Sequence, residues 1–222
     1  MDNPVTILAL TDLHGSAAYV RRLEAEIKDA DLILVAGDIT NFGRRKQAEA
    51  LLKPLLETGV PLFAVSGNCD HSQVEDYLTE MGINASAGTA SIKNLNIFGL
   101  SGSLTTPVPT PRTFSEEEFA GLIADETRAL SVGELGILLT HQPPFNTAVD
   151  AVRSGMHVGS RVIRKFIEDS KPLVCVSGHI HESFGRGTIG TSILVNPGPF
   201  HDGRYAVIQL SAGHAEARLK SF

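Results

Sequence analysis

Acidic, amide and imidazole side chains follow five short apolar segments of this sequence. Each segment is typical of a buried strand, because it is short, rich in β-branched residues and closed by polar ones. The side chains that follow these segments are Asp12, His14, Asp38, Asn68, His141, His179 and His181. Since ligands of open parallel sheets bind beyond the carboxyl ends of the strands, we expect all seven side chains to meet on one rim.

Each of these motifs is weak evidence when it is taken alone. An Asp-x-His turn, a Gly-Asp step or a Gly-His-x-His strand end also occurs as ordinary turn structure. The joint occurrence of five such motifs, each at a predicted strand end and with complementary donors, indicates one functional site.

The seven donors are nitrogen and oxygen atoms only, from two Asp, one Asn and four His. Such a set suits Mn, Fe or Zn rather than Cu(I) or an iron–sulfur cluster. Seven donors exceed the needs of one catalytic ion, and they suit two divalent ions about 3.5–4 Å apart that share a carboxylate. The sequence therefore predicts a dinuclear metal site.

The spacing within the motifs supports this interpretation. Asp12 and His14 are two positions apart, as are His179 and His181, so extended backbone would point both members of a pair the same way. Small residues that permit tight turns and a close approach of the backbone precede the donors. These residues are Gly37, Gly67 and Gly178.

Alternating strands and helices must position the first donors. Apolar residues at helical spacing lie between the apolar runs of the first third of the chain, an order that predicts parallel strands covered by helices. The predicted strands are residues 5–10, 31–37 and 60–67, and the predicted helices are residues 17–30, 46–58 and 72–82.

The second part of the chain mixes strands and helices without this strict alternation. We predict two strands within residues 91–102, a helix over 115–130 capped by Ser115, and a helix over 160–170 capped by Ser160. Further strands are predicted at 136–140, 172–178 and 214–220, and as a pair formed by 192–198 and 204–210. The Pro-rich residues 105–113 predict an irregular loop that overhangs part of the surface. Because no large insertion covers the rim, we expect the site to be open. We expect one α/β domain, residues 1–222, with two sheets packed against each other.

The composition is ordinary for a globular protein. The chain has 222 residues, 42% hydrophobic and 20% charged, and a net charge of -6, which argues against a standing nucleic-acid partner. Its apolar runs are too short for a signal peptide or a membrane span. Cys69 and Cys175 are the only cysteines, so we expect no disulfide framework and a reduced, cytoplasmic protein.

The order of the motifs, Asp-x-His, Gly-Asp, Gly-Asn-x-Asp, His and Gly-His-x-His, resembles that of the calcineurin-like metallophosphoesterases over residues 5–198. The resemblance implies a four-layer α/β/β/α sandwich, with mixed sheets flanked by helices, and two divalent transition-metal ions (Mn, Fe or Zn, with Mn favoured). The implied ligands are Asp12, His14, Asp38 and His181 for one ion, and Asp38, Asn68, His141 and His179 for the other, with Asp38 bridging.

The resemblance also implies an activity, the hydrolysis of a small phosphate ester by a metal-bridging hydroxide. The catalytic residues that it implies are Asp38, Asn68, Cys69, Asp70 and His141. Two rival functions are open. A metal-binding scaffold without catalysis should have lost ligands, and none is missing. A nuclease should carry a basic, aromatic groove, which the composition does not favour.

Cys69 stands where many family members have a histidine that protonates the leaving group and is oriented by the following Asp, here Asp70. Three interpretations are open: Cys69 fills space, it donates a proton with a pKa lowered by the cations, or His71 reaches back. A poor leaving group needs an acid most, and family members with Gly-Asn-Cys-Asp are associated with phosphodiesters. The motif therefore favours a phosphodiesterase over a phosphomonoesterase.

Substrate contacts are predicted at four positions, Asn68, Cys69, His157 and Arg112. For His157 the alternative is a loop histidine beside a helix cap. Arg112, like Arg153, is a candidate phosphate clamp, and a solvated surface arginine is the alternative for both. His201 follows the last motif and is assigned no role.

Overall fold

The computed structural model describes residues 4–93, 95–126, 135–211 and 213–222. Two β-sheets pack face to face, and helices cover the outer face of each sheet. The predicted four-layer α/β/β/α arrangement of mixed sheets flanked by helices is therefore confirmed. No helix among the described residues is long and apolar enough to cross a bilayer.

The strands follow the chain from end to end. They are β1 Val5–Leu10, β2 Leu32–Ala36, β3 Leu62–Val65, β4 Ala90–Ile92, β5 Leu95–Leu100, β6 Ser103–Leu104, β7 Thr113–Phe114, β8 Leu135–Thr140, β9 Val174–Val176, β10 Gly185–Ile189, β11 Ser192–Asn196, β12 Arg204–Ser211 and β13 His214–Ser221. The first sheet has the order β13-β12-β1-β2-β3, and the second has the order β10-β11-β9-β8-β5-β4. Strands β6 and β7 form a separate parallel ribbon beside the second sheet.

The parallel strands of each sheet end at the same edge. In the first sheet, Leu10 lies opposite Val35, and Ala36 lies opposite Val65. In the second sheet, β5, β8, β9 and β11 are likewise parallel neighbours. The loops that follow β1, β2, β3, β8 and β9 therefore start side by side.

The described helices are α1 Glu24–Asp29, α2 Arg45–Leu56, α3 Ser72–Glu80, α4 Glu116–Glu126 and α5 Arg161–Ser170. Both predicted caps are present: the Ser160 hydroxyl accepts the Ile163 N–H at 3.1 Å, and the Ser115 hydroxyl accepts the Glu118 N–H at 3.2 Å. Helix α1 is shorter than predicted, because its first turn is a 3-10 turn. The predicted helix over 115–130 is present as α4, and residues 127–130 lie outside the described residues.

Three apolar cores hold the layers together. Ile7, Leu34 and Ile137 lie in the core between the sheets. Helices α2 and α3 cover the outer face of the first sheet through residues such as Leu52, and α5 covers the second through residues such as Ile163. Each such side chain is fully buried, which stabilises the fold by about 1.5–3 kcal/mol per side chain. The strand ends therefore rest on a rigid base.

The predicted pairing of residues 192–198 with residues 204–210 is wrong. Strand β11 lies between β9 and β10 in the second sheet, whereas β12 lies between β1 and β13 in the first. The intervening segment carries two prolines and Gly198 at φ +75°, and it crosses from one sheet to the other instead of closing a hairpin. Strand β10 was not predicted, because its two glycines weaken the strand signal.

Candidate metal centre

The predicted donors follow the five strand ends at one edge of the paired sheets. Asp12 and His14 follow β1, Asp38 follows β2, Asn68 follows β3, His141 follows β8, and His179 and His181 follow β9. The structure brings five of them together in overlapping groups of potential ligand atoms, each group within 4.8 Å: Asp12, His14, Asp38, His141 and His181. Asn68 and His179 each lie beside His141. Two of the groups consist only of predicted ligands: Asp12, His14 and His181, and Asp12, Asp38 and His141.

Asp12, His14 and His181 form one side of the centre. The Nε2 atom of His181 lies 3.2 Å from His14 Nε2 and 3.2 Å from Asp12 Oδ1. The Asp12 Oδ1 atom is buried, and despite the nearby His181 ring it accepts no well-aligned hydrogen bond from the described residues. A buried carboxylate oxygen without a donor is costly, and its position facing two imidazoles fits a bound cation.

His141 and Asn68 form the other side. The Nε2 atom of His141 lies 3.0 Å from Asn68 Oδ1 and 3.5 Å from Asp38 Oδ2. The His141 Nδ1–H donates to the Ala36 carbonyl at 2.8 Å, the kind of contact that fixes the tautomer of a metal-ligating histidine. The His179 ring lies beside it, with a centroid distance of 5.1 Å. The lone pair of His141 Nε2 is thus directed into the centre.

Asp38 lies between the two sides. Its Oδ2 atom is 3.7 Å from His14 Nε2 and 3.5 Å from His141 Nε2. Its other oxygen accepts the backbone N–H of Cys69 at 2.8 Å. One oxygen is therefore held by the protein while the other faces both groups of donors, the arrangement that a bridging carboxylate needs.

The backbone of the donors is not extended. Asp12, His14, Asp38 and His179 have φ values of +52°, +44°, +46° and +67°. The prediction that extended backbone aligns the paired donors is therefore wrong, because left-handed turns aim these side chains. Non-glycine residues seldom adopt this region, and such strain concentrates at functional sites.

The glycines that precede the donors provide the space that the sequence predicted. A Cβ atom on Gly67 would lie 2.1 Å from Asp38 Oδ1, and one on Gly37 would lie 2.5 Å from His141 Nδ1. A Cβ atom on Gly178 would lie 1.9 Å from Thr11 Oγ1. The donors converge because the turns beneath them carry no side chains.

Charge compensation governs the protonation of the centre. Burial would lower the pKa of His141, but the negative charges of Asp38 and Asp12 outweigh it and raise this pKa to about 9. Burial likewise opposes the ionisation of Asp38, yet His141 and His14 hold the pKa of this carboxyl far below its usual range. Burial and the nearby charge of His141 lower the pKa of His179 to about 4. Without metal, the proton on His141 thus compensates the negative charge of the Asp38 and Asp12 carboxylates, as bound divalent cations would.

Cys69 lies at the centre and has little exposed surface. Its Sγ atom lies within 4.8 Å of potential ligand atoms of His14 and Asp38. The Asn68 side-chain amide donates a hydrogen bond to this sulfur at 3.5 Å. Burial and the charge of Asp38 raise the pKa of the thiol. These protein groups alone therefore keep Cys69 a neutral thiol, and a lowering of its pKa would have to come from bound cations. His71 lies at the start of α3, where its backbone N–H donates to the Gly43 carbonyl.

Asp70 is fully buried beneath the loops. One of its oxygens accepts the backbone N–H groups of Gly67 and Ile39, and the other accepts the N–H and hydroxyl of Thr40. Burial and the charge of Asp38 raise its pKa to about 6. Asp70 therefore ties the Asp38 loop to the Asn68 loop, and this geometry suits a positioning residue rather than the direct catalytic role predicted for it.

The other predicted substrate contacts have protein partners. The Nδ1 atom of His157 lies 2.7 Å from Oδ1 of the buried Asp150. The Nη2 atom of Arg112 lies 3.2 Å from Glu75 Oε1, and the Arg112 backbone N–H donates to the Asn68 carbonyl at 3.2 Å. His157 and Arg112 thus support loops near the centre, while the His157 side chain remains 33% exposed.

The sequence interpretation missed His201. Its Nδ1 atom lies 2.9 Å from the Asp12 carbonyl oxygen, and its ring centroid is 5.2 Å from that of His14 and 5.5 Å from that of His181. The wrong pairing of β12 concealed this contact. Antiparallel pairing of β12 with β1 places the turn before β12 at the carboxyl end of β1.

An open cleft of about 720 Å³ adjoins the metal centre. Its lining residues are Ala151, Val152, Arg153, His179, His181, Glu182, Pro199, Asp202 and Arg204. The His181 side chain remains 38% exposed, so the Pro-rich loop over residues 105–113 does not seal the site, as predicted. A substrate can reach the donors from this cleft.

Comparison with known proteins agrees with this geometry. The family model for calcineurin-like phosphoesterases matches residues 5–183. This chain belongs to the calcineurin-like phosphoesterase family. Membership of this family indicates a metal-dependent phosphoric ester hydrolase. An uncharacterized protein of Methanocaldococcus jannaschii is 38% identical to this calcineurin-like phosphoesterase over 198 residues, which cover 87% of this chain and 88% of the relative.

Solved structures share the fold. A dimetal phosphatase from Danio rerio has a TM-score of 0.63 at 14% identity, and the alignment covers 99% of both chains. An archaeal phosphodiesterase has a TM-score of 0.55 at 16% identity, with coverage of 98% of this chain and 100% of that chain. At these identities the similarity shows a common fold for this calcineurin-like phosphoesterase.

Proposed function

We propose that this calcineurin-like phosphoesterase uses two divalent transition-metal ions, with Mn favoured, to hydrolyse a small phosphate ester, and that it prefers diesters to monoesters. The observation that carries the proposal is the convergence of nitrogen and oxygen donors from five strand ends, with Asp38 between two groups. The left-handed backbone at four of these donors supports a functional site.

The donors fit two ions. One ion would be held by Asp12, His14, Asp38 and His181, and the other by Asp38, Asn68, His141 and His179. When bound, the ions polarise a phosphoryl oxygen and acidify water, so that hydroxide is available near neutral pH.

The protein residues prepare the centre for this chemistry. Ala36 fixes the tautomer of His141, so that Nε2 faces inward. The Cys69 N–H holds one oxygen of Asp38 and leaves the other oxygen for the ions. Asp70 holds the loop that carries Asp38 against the loop that carries Asn68. These contacts preorganise the donors before substrate arrives, which is the main contribution that a protein makes to electrostatic catalysis.

Cys69 is the basis for preferring diesters. Cys69 stands where an imidazole would supply a general acid, and an ester with a poor leaving group depends most on such an acid. The fold itself is compatible with both ester classes, since the Danio rerio phosphatase and the archaeal phosphodiesterase share it. We therefore interpret Cys69 as a small space-filling residue whose presence in place of an imidazole disfavours monoesters.

The test compares wild type with Cys69→His after reconstitution with Mn, Fe, Ni or Zn. The substrates are bis(p-nitrophenyl) phosphate and p-nitrophenyl phosphate, which release the same chromophore. We expect wild type to prefer the diester and Cys69→His to gain monoesterase activity. Cys175→Ala is the matched control, because it removes the other buried thiol from β9, and it should leave the ratio of the two activities unchanged.

Two outcomes would contradict the proposal at different levels. Equal preference for the monoester in wild type and Cys69→His would remove Cys69 as a specificity element and leave the phosphoesterase proposal in place. Absence of bound metal together with absence of turnover on either ester would refute the enzyme itself and favour the catalytically silent scaffold.

The remaining proposals concern surroundings rather than chemistry. The presence of only two cysteines in the sequence is the reason to propose a reducing, cytoplasmic location. The net charge of -6 is the reason to expect no standing nucleic-acid partner. Asn68 at the centre and His157 beside it stay candidate substrate contacts. Arg112 is better explained as a partner of Glu75 that supports the Asn68 loop.

A further inference from the structure

We propose that the cleft beside the metal centre contains an anion-binding subsite, formed by Arg204 with Arg153, that recognises a second phosphate on the alcohol part of the substrate. This inference rests on the proposed function, because it names the class of ester that the same site takes. Both arginines line the cleft that His179 and His181 also line. The sequence had offered Arg153 as a candidate phosphate clamp, whereas Arg204 was not predicted to bind substrate.

The guanidinium groups of these two residues are available. Among the described residues, no carboxylate pairs with Arg153 or Arg204 within 4.0 Å. By contrast, Arg45, Arg164 and Arg218 each form an ion pair on the surface. A guanidinium without an anionic partner, at the edge of a site for phosphate esters, is suited to bind phosphate in a bidentate manner.

Arg204 is held in place rather than free in solvent. Its guanidinium carbon lies 4.8 Å from the centroid of the Phe184 ring, and its side chain is half-buried. Gly198, at φ +75°, makes this contact possible, because a Cβ atom there would lie 2.6 Å from Phe184 and 2.9 Å from the Arg204 Cδ atom. The glycine, the aromatic ring and the arginine thus form a prepared position, so little side-chain entropy is lost when an anion binds.

Two acidic residues share the cleft and do not neutralise the arginines. Asp202 Oδ1 lies 3.6 Å from His201 Nε2, and Glu182 is exposed. Their carboxylates can accept hydrogen bonds from hydroxyl groups. A cleft of about 720 Å³ exceeds the space that a phosphoryl group needs at the metals, so there is room for an alcohol part that carries hydroxyls and a further phosphate.

The kinetic test uses two esters that differ by one phosphate. They are the p-nitrophenyl ester of thymidine 5′-phosphate and the same ester with a 3′-phosphate. We expect the Mn-loaded wild type to have a kcat/KM about 10- to 100-fold higher for the 3′-phosphorylated ester, the range that hydrogen bonds to a charged group supply. Arg204→Met should bring this ratio close to one, and Arg204→Lys should restore part of it. Arg218→Met, a change of the same type outside the cleft, should leave the ratio at its wild-type value.

A binding experiment separates this inference from the proposed function. Deoxythymidine 3′,5′-bisphosphate and deoxythymidine 5′-monophosphate are titrated calorimetrically into the Mn-loaded wild type, Arg204→Met and Arg153→Met. Tighter binding of the bisphosphate that depends on Arg204, without turnover of either ester, would establish the subsite and refute the proposed function. Turnover of both esters with equal kcat/KM would overturn the subsite and leave the proposed function in place. A preference for the second phosphate that survives in both arginine variants would also overturn it.

Discussion

Gly67 is the position where a single methyl group should disable the metal centre. In Gly67→Ala the new Cβ atom would lie 2.1 Å from Asp38 Oδ1 and 2.2 Å from the Asp38 backbone nitrogen, whereas Cβ atoms essentially never approach a neighbour within 3.0 Å. The Asp38 carboxylate must therefore move by at least 0.9 Å. Because Asp38 lies between both groups of donors, this displacement affects both ions.

The size of the effect follows from this displacement. Overpacking of a tight site costs about 1–3 kcal/mol of stability, and a misplacement of about 1 Å can lower a catalytic rate by about 100-fold. We expect Gly67→Ala to fold with a modestly lower free energy of unfolding, to retain fewer than two Mn ions per chain, and to hydrolyse bis(p-nitrophenyl) phosphate about 100-fold more slowly.

The assay combines metal content by mass spectrometry, urea unfolding and steady-state kinetics. Gly121→Ala is the matched control, because Gly121 lies within α4 and a Cβ atom there meets nothing within 4 Å. That variant should gain about 0.5–1 kcal/mol of stability and keep its metal and activity. A Gly67→Ala protein with two bound ions and the wild-type rate would refute the argument that close packing at Gly67 positions Asp38.

Three further predictions concern the surroundings of the donors. The pKa of His141 is about 9 without metal, so Mn must displace a proton from this histidine at neutral pH. Mn affinity, measured with a competing chelator, should therefore rise up to about tenfold per pH unit from pH 7 to 9 and level off above pH 9. An Mn affinity that does not change with pH would contradict this prediction. Asp70→Ala leaves three buried backbone N–H groups without their acceptor. The free energy of unfolding, measured with urea, should fall by at least about 3 kcal/mol. A decrease of less than about 0.5 kcal/mol would exclude the positioning role of Asp70. Arg112→Met and Glu75→Gln should each lower the free energy of unfolding, and their double-mutant cycle should show a coupling energy of about 1–2 kcal/mol. A raised KM of Arg112→Met without such coupling would instead support substrate binding by Arg112.

The sequence predicted that the candidate donors gather at one edge because the relevant signals are local. A short β-branched run followed by Gly and then Asp, Asn or His identifies both a strand end and its chemistry, and parallel strands must end at one edge. The caps Ser115 and Ser160 were predicted for the same reason, since each depends on residues three positions away. The two-sheet sandwich then followed from the order of the elements.

The errors concern features that depend on distant parts of the chain. Strands β11 and β12 are close in sequence, yet they lie in different sheets, and each pairs with strands that are distant along the chain. That error concealed His201, whose contact with Asp12 joins residues 189 positions apart. Left-handed backbone at Asp12 and Asp38 was likewise not predictable, because these residue types do not require it.

The central claim is that the clustered donors hold two divalent ions on either side of Asp38. Anomalous diffraction from crystals of the Mn-loaded protein, recorded near the Mn absorption edge, tests this claim most directly. We predict two peaks about 3.5–4 Å apart, one beside His14 and His181 and the other beside Asn68 and His141. A single peak, or peaks that lie away from Asp38, would contradict the account.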